Sequence, residues 1–288
     1  MHQSLSHKWW LGIAALIAFD LLLWQAIVAR QTHASDAALY FLDVGQGDSQ
    51  LISLPGDVQI LIDGGPPNGK VLDALARVLP PGDRYVDVLI MTHPQTDHFG
   101  GFADVFERYE VGALIGSGRD ATLAGYRDLE HRRNTHKVPY VTVEAGDMIR
   151  YGDAVLSILN PTPRFLSDKE VNESSVVTRL DYGAMSALYT GDIGAPVEQA
   201  LSKNPAVDVD VLKVPHHGSR FSSSAGFLAA VSPKAAVIGV GKNSYGHPTP
   251  AALGRLEKAG AQIFRTDTDG TIRINLSEGN LLIYKEKK

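Results

Sequence analysis

The chain has 288 residues, of which 44% are hydrophobic and 20% are charged, a balance that excludes a disordered or collagen-like chain. With 27 basic and 32 acidic residues, the net charge of −5 argues against a surface that coats nucleic acid non-specifically, although a local basic groove stays open. The sequence has no cysteine, which excludes disulfides and thiolate metal sites. Any metal must therefore be held by carboxylates and by some of the 10 histidines.

The amino-terminal segment, residues 1–35, is distinct from the domain predicted over residues 36–288. Residues 9–29 contain only Asp20 and Gln25 as clearly polar side chains. As a helix, this run would be about 31 Å long, close to the thickness of a bilayer core. It predicts an anchor in the cytoplasmic membrane with the domain outside the cytoplasm. The alternative is a signal peptide cleaved near Ala34, which leaves a secreted or periplasmic protein.

Short apolar runs alternate with helical patterns over the rest of the chain. Strands are predicted at 39–42, 50–53, 58–62, 86–91, 154–159, 175–180, 186–189, 209–213, 235–240, 262–265, 271–274 and 281–284. Helices are predicted at 70–79, from His98 towards Tyr109, at 125–134 and at 251–259, and Pro196 and Pro250 suit the first turn of a helix. This pattern indicates an α/β fold with two sheets flanked by helices.

A cluster of metal-binding residue types follows the buried strand at 86–91. His93, Asp97 and His98 fall within six residues, in a loop that leads into a helix. Imidazole nitrogen and carboxylate oxygen are ligands that Zn²⁺ and similar ions take in proteins. A solvated polar loop with a capping aspartate is the plain alternative.

Three further strand ends carry the same residue types. Asp63 follows the run at 58–62, Asp192 follows 186–189, and His216 and His217 follow 209–213. Alone, Asp63 or Asp192 is more often a turn residue than a ligand. Because strand ends on one side of a sheet converge on a common rim, the coincidence favours one shared metal site.

These residues carry a resemblance to a known family. The segments 41–49, 212–219, 245–248 and 266–270, together with the clusters above, resemble the metallo-β-lactamase superfamily, and within it the metallo-hydrolase domain of ComEC-type DNA-uptake proteins. The resemblance implies a four-layer αββα sandwich. It implies that Asp63 orients the loop that carries metal ligands. It also implies five metal ligands: His93, Asp97, His98, Asp192 and His216.

Two departures from the family pattern affect the number of ions. Gln95 stands where the family has a second histidine, and Asn172 lies near the place of another missing histidine. We expect Gln95 and Asn172 to lie beside the ligands. The expected cofactor is therefore one firmly bound divalent ion, Zn²⁺ or Mn²⁺, with a second, weaker ion.

Catalysis and substrate binding are assigned to further residues near these motifs. Asp97 or Asp192 would orient the attacking water, and His217 or His247 would protonate the leaving oxygen, since imidazole titrates near neutral pH. The residues expected to contact a phosphate at the rim are Lys213, Ser219, Arg220 and Lys242. Each of these assignments has a plain alternative as a hydrogen-bonding or turn residue.

The resulting hypothesis is a metal-dependent phosphodiesterase, a nuclease that acts on DNA at the outer side of the cytoplasmic membrane. A separate DNA channel protein is its expected partner. One alternative is a hydrolase of a small ester, lactone or phosphoester, because the same scaffold and ion serve many leaving groups. Another is a non-catalytic member that binds DNA or an envelope partner, with Gln95 and Asn172 as marks of a decayed site.

Overall fold

The structure, a computed structural model, describes residues 3–32, 37–276 and 281–287. Its first helix, α1 (Gln3–Thr32), exposes large apolar side chains such as Trp9, Trp10 and Trp24. Within the described part of the chain, no helix has both the length and the hydropathy that crossing a membrane requires. The structure therefore does not support the membrane segment predicted over 9–29, and the predicted cleavage site at Ala34 lies outside the described residues.

Two β-sheets form the centre of the fold. In chain order the strands are β1 (Ala38–Phe41), β2 (Gln50–Leu54), β3 (Val58–Ile62), β4 (Tyr85–Met91), β5 (Glu110–Gly116), β6 (Tyr140–Thr142), β7 (Met148–Tyr151), β8 (Ala154–Asn160), β9 (Val177–Tyr182), β10 (Met185–Tyr189), β11 (Val211–Lys213), β12 (Ala235–Ile238), β13 (Gln262–Arg265), β14 (Ile272–Asn275) and β15 (Leu282–Lys285). The first sheet has the order β15-β14-β1-β2-β3-β4-β5-β6, and the second has the order β13-β12-β11-β10-β9-β8-β7.

Helices cover the outer face of each sheet. After α1 they are α2 (Lys70–Val78), α3 (Thr96–Phe99), α4 (Phe102–Arg108), α5 (Ala124–Thr135), α6 (Pro163–Leu166), α7 (Ala195–Leu201), α8 (Ala225–Val231), α9 (Pro250–Lys258) and α10 (Thr266–Asp269). Short 3₁₀ turns lie at Val171–Ser174, Pro205–Val207 and Pro215–Gly218.

Three apolar layers hold these elements together. The central layer lies between the sheets and contains Phe41 and Ile62 of the first sheet with Leu180 and Tyr189 of the second. A second layer packs α2, α4 and α5 on the first sheet, and a third packs α7, α8 and α9 on the second. Burying apolar faces against one another is the main driving force for this arrangement. The predicted four-layer αββα sandwich is therefore confirmed.

The helix predicted from His98 to Tyr109 is divided in two by Gly100 and Gly101. The backbone N–H of Gly101 donates to the carbonyl of Gly65 at 2.9 Å, and the N–H of Gly64 donates to the carbonyl of His98 at 2.6 Å. A side chain at Gly101 would collide with the backbone of Gly64. The two glycines therefore let the loop after β3 approach the loop after β4, which brings their polar side chains together.

Candidate metal centre

Strand direction explains why distant polar residues meet at one edge. β3 and β4 are parallel neighbours in the first sheet, and β10 and β11 are parallel neighbours in the second. The loops that follow these four strands carry the predicted aspartates and histidines. β2 runs antiparallel to β3, with Gln50 opposite Ile62, so the turn before β2 reaches the same edge. That turn contributes Asp48, which the sequence analysis did not assign.

Four buried side chains form the centre of the site. The ligand atoms of Asp48, His98, Asp192 and His217 all lie within 4.8 Å of one another. Nε2 of His98 is 3.3 Å from Oδ2 of Asp192, and Nε2 of His217 is 3.5 Å from the same oxygen. We call these four residues the quartet. Two imidazoles and two carboxylates are a donor set that suits Zn²⁺ or Mn²⁺.

Unpaired buried atoms show that the quartet fits an ion. Nε2 of His98 and Oδ1 of Asp192 are buried and make no hydrogen bond with any described residue. A buried polar atom without a hydrogen bond costs free energy that a bound cation would recover. The residues present therefore match a divalent metal, with His98, His217 and Asp192 converging on one point.

Asp63 fixes the orientation of His98. Its carboxylate accepts hydrogen bonds from the backbone N–H and the hydroxyl of Thr92, both at 2.8 Å, and contacts Nδ1 of His98 at 2.7 Å. With Nδ1 engaged in this way, Nε2 is left facing the quartet. A carboxylate on the far nitrogen of a ligating histidine typically sets its tautomer and basicity. This geometry supports the orienting role predicted for Asp63.

The two histidines after β11 take different places. Both have left-handed backbone, with φ of 52°. Nδ1 of His217 donates to the carbonyl of Gly239 at 2.7 Å, and its Nε2 lies 3.3 Å from Oδ2 of Asp97, inside the site. The ring of His216 instead stands 5.7 Å from that of His247 and lines the cavity outside. His217 is therefore the histidine of this pair that belongs to the quartet, and the ligand role assigned to His216 stays a prediction.

Protonation of the quartet histidines follows from the surrounding carboxylates. Burial alone would lower the pKa of His217, but Asp192 and Asp48 raise it to about 10. Burial likewise opposes the positive form of His98, yet Asp192 and Asp63 raise its pKa well above the usual value. The surrounding carboxylates thus favour the protonated form of both imidazoles in the metal-free protein, so a metal ion at the quartet would compete with protons for their Nε2 atoms.

Lys213 is a buried counter-charge and not a rim residue. It is 1% exposed, its ammonium donates to the carbonyl of Gly191 at 2.9 Å, and it forms an ion pair with Asp48. It also lies 3.7 Å from Oδ1 of Asp192. Lys213 does not line the cavity, and its burial argues against the predicted phosphate contact, which stays a prediction. Its charge instead makes the burial of Asp48 tolerable.

On the side of the site where Gln95 and Asn172 replace the histidines of the family, few atoms are free to bind a metal ion. Nε2 of Gln95 donates to Oδ1 of Asn172 at 2.5 Å, so the two amides bind each other. His93 is buried, and its Nε2 makes no hydrogen bond with a described residue. Burial and the charge of His98 lower the pKa of His93 to about 3. Only this neutral imidazole offers a second ion an uncommitted nitrogen here.

The site opens to solvent through Asp97 and a cavity of about 530 Å³. The side chain of Asp97 is 35% exposed and lies between the quartet and the cavity. Burial would raise the pKa of Asp97, but the hydrogen bond with His217 and the charge of His98 lower it, so the carboxylate is ionised. His247 lines the cavity wall, and burial lowers its pKa. A neutral His247 suits hydrogen bonding better than proton delivery.

The remaining predicted substrate residues do not line this cavity. Ser219 is buried, and its hydroxyl accepts from the backbone N–H of Phe221 at 3.3 Å, so it shapes the turn. Arg220 and Lys242 are exposed but stand outside the lining residues. Among the described residues, the charged groups that line the cavity are acidic apart from histidine.

Comparison with known proteins identifies the fold family. A model of the metallo-beta-lactamase superfamily matches residues 42–242, which contain the whole quartet. The chain belongs to the metallo-beta-lactamase superfamily. Two solved structures share the fold with TM-scores of 0.56 and 13% identity, each over 83% of this chain and 100% of its own: the metallo-beta-lactamase fold protein YhfI from Bacillus subtilis, and the metallo hydrolase Igni18 from Ignicoccus hospitalis.

Two relatives with higher identity are ComE operon protein 3 and competence protein ComA. ComE operon protein 3 of Bacillus subtilis is 31% identical over 281 residues, which cover 91% of this chain and 35% of that protein. Competence protein ComA of Neisseria gonorrhoeae is 31% identical over 87% of this chain and 35% of its own length. The chain thus spans about a third of the length of these relatives. It combines the metallo-hydrolase fold of the superfamily with a site able to hold a metal ion.

Proposed function

We propose that this superfamily member is a metal-dependent phosphodiesterase that cleaves DNA in a DNA-uptake setting. The observation that carries the proposal is the buried quartet, which reaches solvent through the ionised Asp97 at the wall of the cavity. We propose DNA as the substrate because of the competence relatives, and hydrolysis as the reaction because of the superfamily. The ligands would be His98, Asp192 and His217, with Asp48 beside them.

Each residue at the opening has a defined task in such a reaction. A bound divalent ion would supply Lewis-acid polarisation of the phosphate and a water of lowered pKa. Asp97, ionised at the opening, would accept a hydrogen bond from the attacking water. His216 and His247 line the same cavity as Asp97, where a neutral imidazole can donate a hydrogen bond to a phosphate oxygen. Solvent in the cavity would protonate the leaving oxygen.

The decisive experiment combines metal removal with substitution of a ligand. Full-length protein is incubated with Mn²⁺ or Zn²⁺ and end-labelled single-stranded or duplex DNA. We expect cleavage that stops with chelator and in Asp192→Asn, which removes the oxygen shared by both quartet histidines. Asp128→Asn, an exposed acid paired with Arg132 on α5, is the control and should cleave normally.

A second candidate function is supported by the charge of the cavity. No lysine or arginine lines it within the described residues, whereas Asp97, Glu170 and Asp192 do. An acidic wall suits a small neutral ester or lactone better than a polyanion. If the protein hydrolyses chromogenic esters and leaves DNA intact, the hypothesis of a small-ester hydrolase replaces that of a nuclease. If the protein still binds DNA in a shift assay with chelator present and in Asp192→Asn, the hypothesis of a non-catalytic DNA-binding protein is supported instead.

The predicted location is part of this proposal. We place the protein outside the cytoplasm, with a separate DNA channel protein as partner. Cell fractionation with protease added to intact spheroplasts tests the location, because only an outward-facing domain is digested. Recovery of the protein in the cytoplasmic fraction would contradict it.

A further inference from the structure

Tyr245 is an exposed aromatic residue at the mouth of the metal site. Its side chain is 73% exposed, and it lines the same cavity as Asp97 and His217. It belongs to the loop between β12 and α9. Burial in the apolar core therefore does not explain a large ring at this position.

Hydrogen bonds within the loop hold the backbone at Tyr245 in place. Oδ1 of Asn243 accepts from the backbone N–H groups of Tyr245 and His247, both at 3.1 Å. Its Nδ2 donates to the carbonyls of Gly241 at 2.9 Å and of His247 at 2.8 Å. The loop backbone is thus held by several hydrogen bonds, so little backbone freedom is left to lose when a ligand binds the exposed ring.

A series of aromatic rings connects Tyr245 with the quartet. The ring of Tyr245 lies 5.8 Å from that of His247, with an angle of 31° between the planes. His247 stands 5.7 Å from His216, which stands 6.4 Å from His217. A flat group that stacked on Tyr245 would therefore have its attached chain beside the cavity that leads to the metal centre.

We propose that Tyr245 stacks against a nucleobase of single-stranded DNA and so positions the neighbouring phosphodiester at the metal centre. This proposal rests on the proposed nuclease function. Stacking on an aromatic side chain needs a base whose face is free, which a single strand offers and a paired duplex does not. Because no lysine or arginine lines the cavity within the described residues, contact with base faces would add to the hydrogen bonds that its histidines can offer a phosphate.

Binding measured without cleavage tests the proposal. Full-length protein in chelator is titrated against a fluorescently labelled 12-nucleotide oligothymidylate, and anisotropy gives Kd. We expect Tyr245→Ala to weaken binding by about 5- to 150-fold, the range measured for loss of one stacked base. Tyr245→Phe keeps the ring and should stay within about twofold of the parent protein, since stacking does not need the hydroxyl.

Three controls separate stacking from general damage. Tyr284→Ala removes an exposed tyrosine on β15, outside the lining of this cavity, and should leave Kd unchanged. Duplex DNA of the same sequence should be bound equally by Tyr245→Ala and the parent protein. Thermal unfolding of each variant should match the parent, because an exposed ring adds little to stability.

The results distinguish this proposal from the nuclease hypothesis. A Tyr245→Ala loss confined to single strands supports stacking, even if the parent protein does not cleave DNA with Mn²⁺. Unchanged affinity in Tyr245→Ala, an equal loss on duplex DNA, or no measurable binding of single strands by the parent protein overturns it. So does a Tyr245→Ala defect seen only in turnover of a chromogenic ester, which would place the ring in a small-substrate pocket.

Discussion

The two sides of the metal site differ in how their polar atoms are satisfied. The quartet side holds two carboxylates and two protonated imidazoles, with the ammonium of Lys213 behind them. The other side holds the neutral His93 and the amides of Gln95 and Asn172, which bind each other. Both sides are built on the loops of the same sandwich, so the difference comes from side chains and not from backbone.

This difference predicts unequal affinity for metal. An ion at the quartet replaces two protons in a ring of negative charge, so charge is conserved locally. An ion beside His93 gains one nitrogen and must compete with the hydrogen bond between Gln95 and Asn172. We therefore expect one firmly bound ion at the quartet and one weakly bound ion beside His93.

Metal affinity of the quartet should depend steeply on pH. Because the pKa values of His98 and His217 are raised in the metal-free protein, an ion must displace both Nε2 protons. As pH rises from 6 to 8 this displacement becomes easier, so affinity should increase by about tenfold per pH unit for each proton, or about 100-fold per unit for two. Competition with a chelating dye measures this slope. Calorimetry in two buffers of different ionisation enthalpy counts the protons released when the metal binds. A metal affinity that does not change with pH would refute the protonation of the quartet histidines.

Lys213→Met should destabilise the metal-free protein by about 3–5 kcal/mol. The substitution leaves the carboxylate of Asp48 buried without its counter-charge, which is among the costly changes a core can suffer. Urea unfolding in chelator measures the loss. Adding metal should restore part of the stability, because the ion then faces Asp48.

Lys234→Met provides the matched control for this prediction. Lys234 pairs with Asp210 at 2.7 Å, but the lysine is exposed and solvent screens the pair. The Lys234→Met protein should therefore unfold at nearly the same urea concentration as the parent protein, with and without metal. A Lys213→Met protein as stable as this control would mean that Asp48 is protonated or otherwise compensated.

Much of the fold was accessible from sequence because its elements are strongly patterned. The strands predicted at 86–91 and 154–159 appear in the structure as β4 and β8, with most of their apolar residues buried. The short strands β6 and β7 were missed, since they are partly exposed and lack an apolar run. The division of the helix at Gly100 and Gly101 depends on contact with the loop after β3, which local pattern does not encode.

Parts of the site were less accessible for a physical reason. Strand ends predict the convergence of Asp63 with Asp192, but spacing cannot tell which of two consecutive histidines in a left-handed turn faces the quartet, so the sequence favours His216 where the quartet contains His217. Asp48 follows a glycine-rich turn before β2, and the sequence analysis gives it no role in the site. The antiparallel pairing of β2 with β3 is the signal that could have placed it at this edge.

Asp63→Asn should weaken metal binding at the quartet by about 10- to 100-fold, the usual cost of losing a carboxylate that orients a ligating histidine. Asparagine still accepts from Thr92, so the loop should fold. The comparison is Asp87→Asn on β4, whose carboxylate accepts from the backbone N–H of Gln59 at 2.8 Å. Dye competition should show a change for Asp63→Asn alone. Equal affinity in both variants would mean that Asp63 supports the fold and not the ion.

Gln95→His should strengthen the weak side without altering the quartet. The new imidazole would stand near His93 in place of an amide whose hydrogen bond goes to Asn172. We expect the bound metal, measured by elemental analysis after dialysis, to rise from about one ion per chain towards two. Adding His93→Ala to Gln95→His should remove the second ion and leave the first. If the parent protein already retains two ions after the same dialysis, the two sides have equal affinity, and the contrast drawn from their charges is wrong.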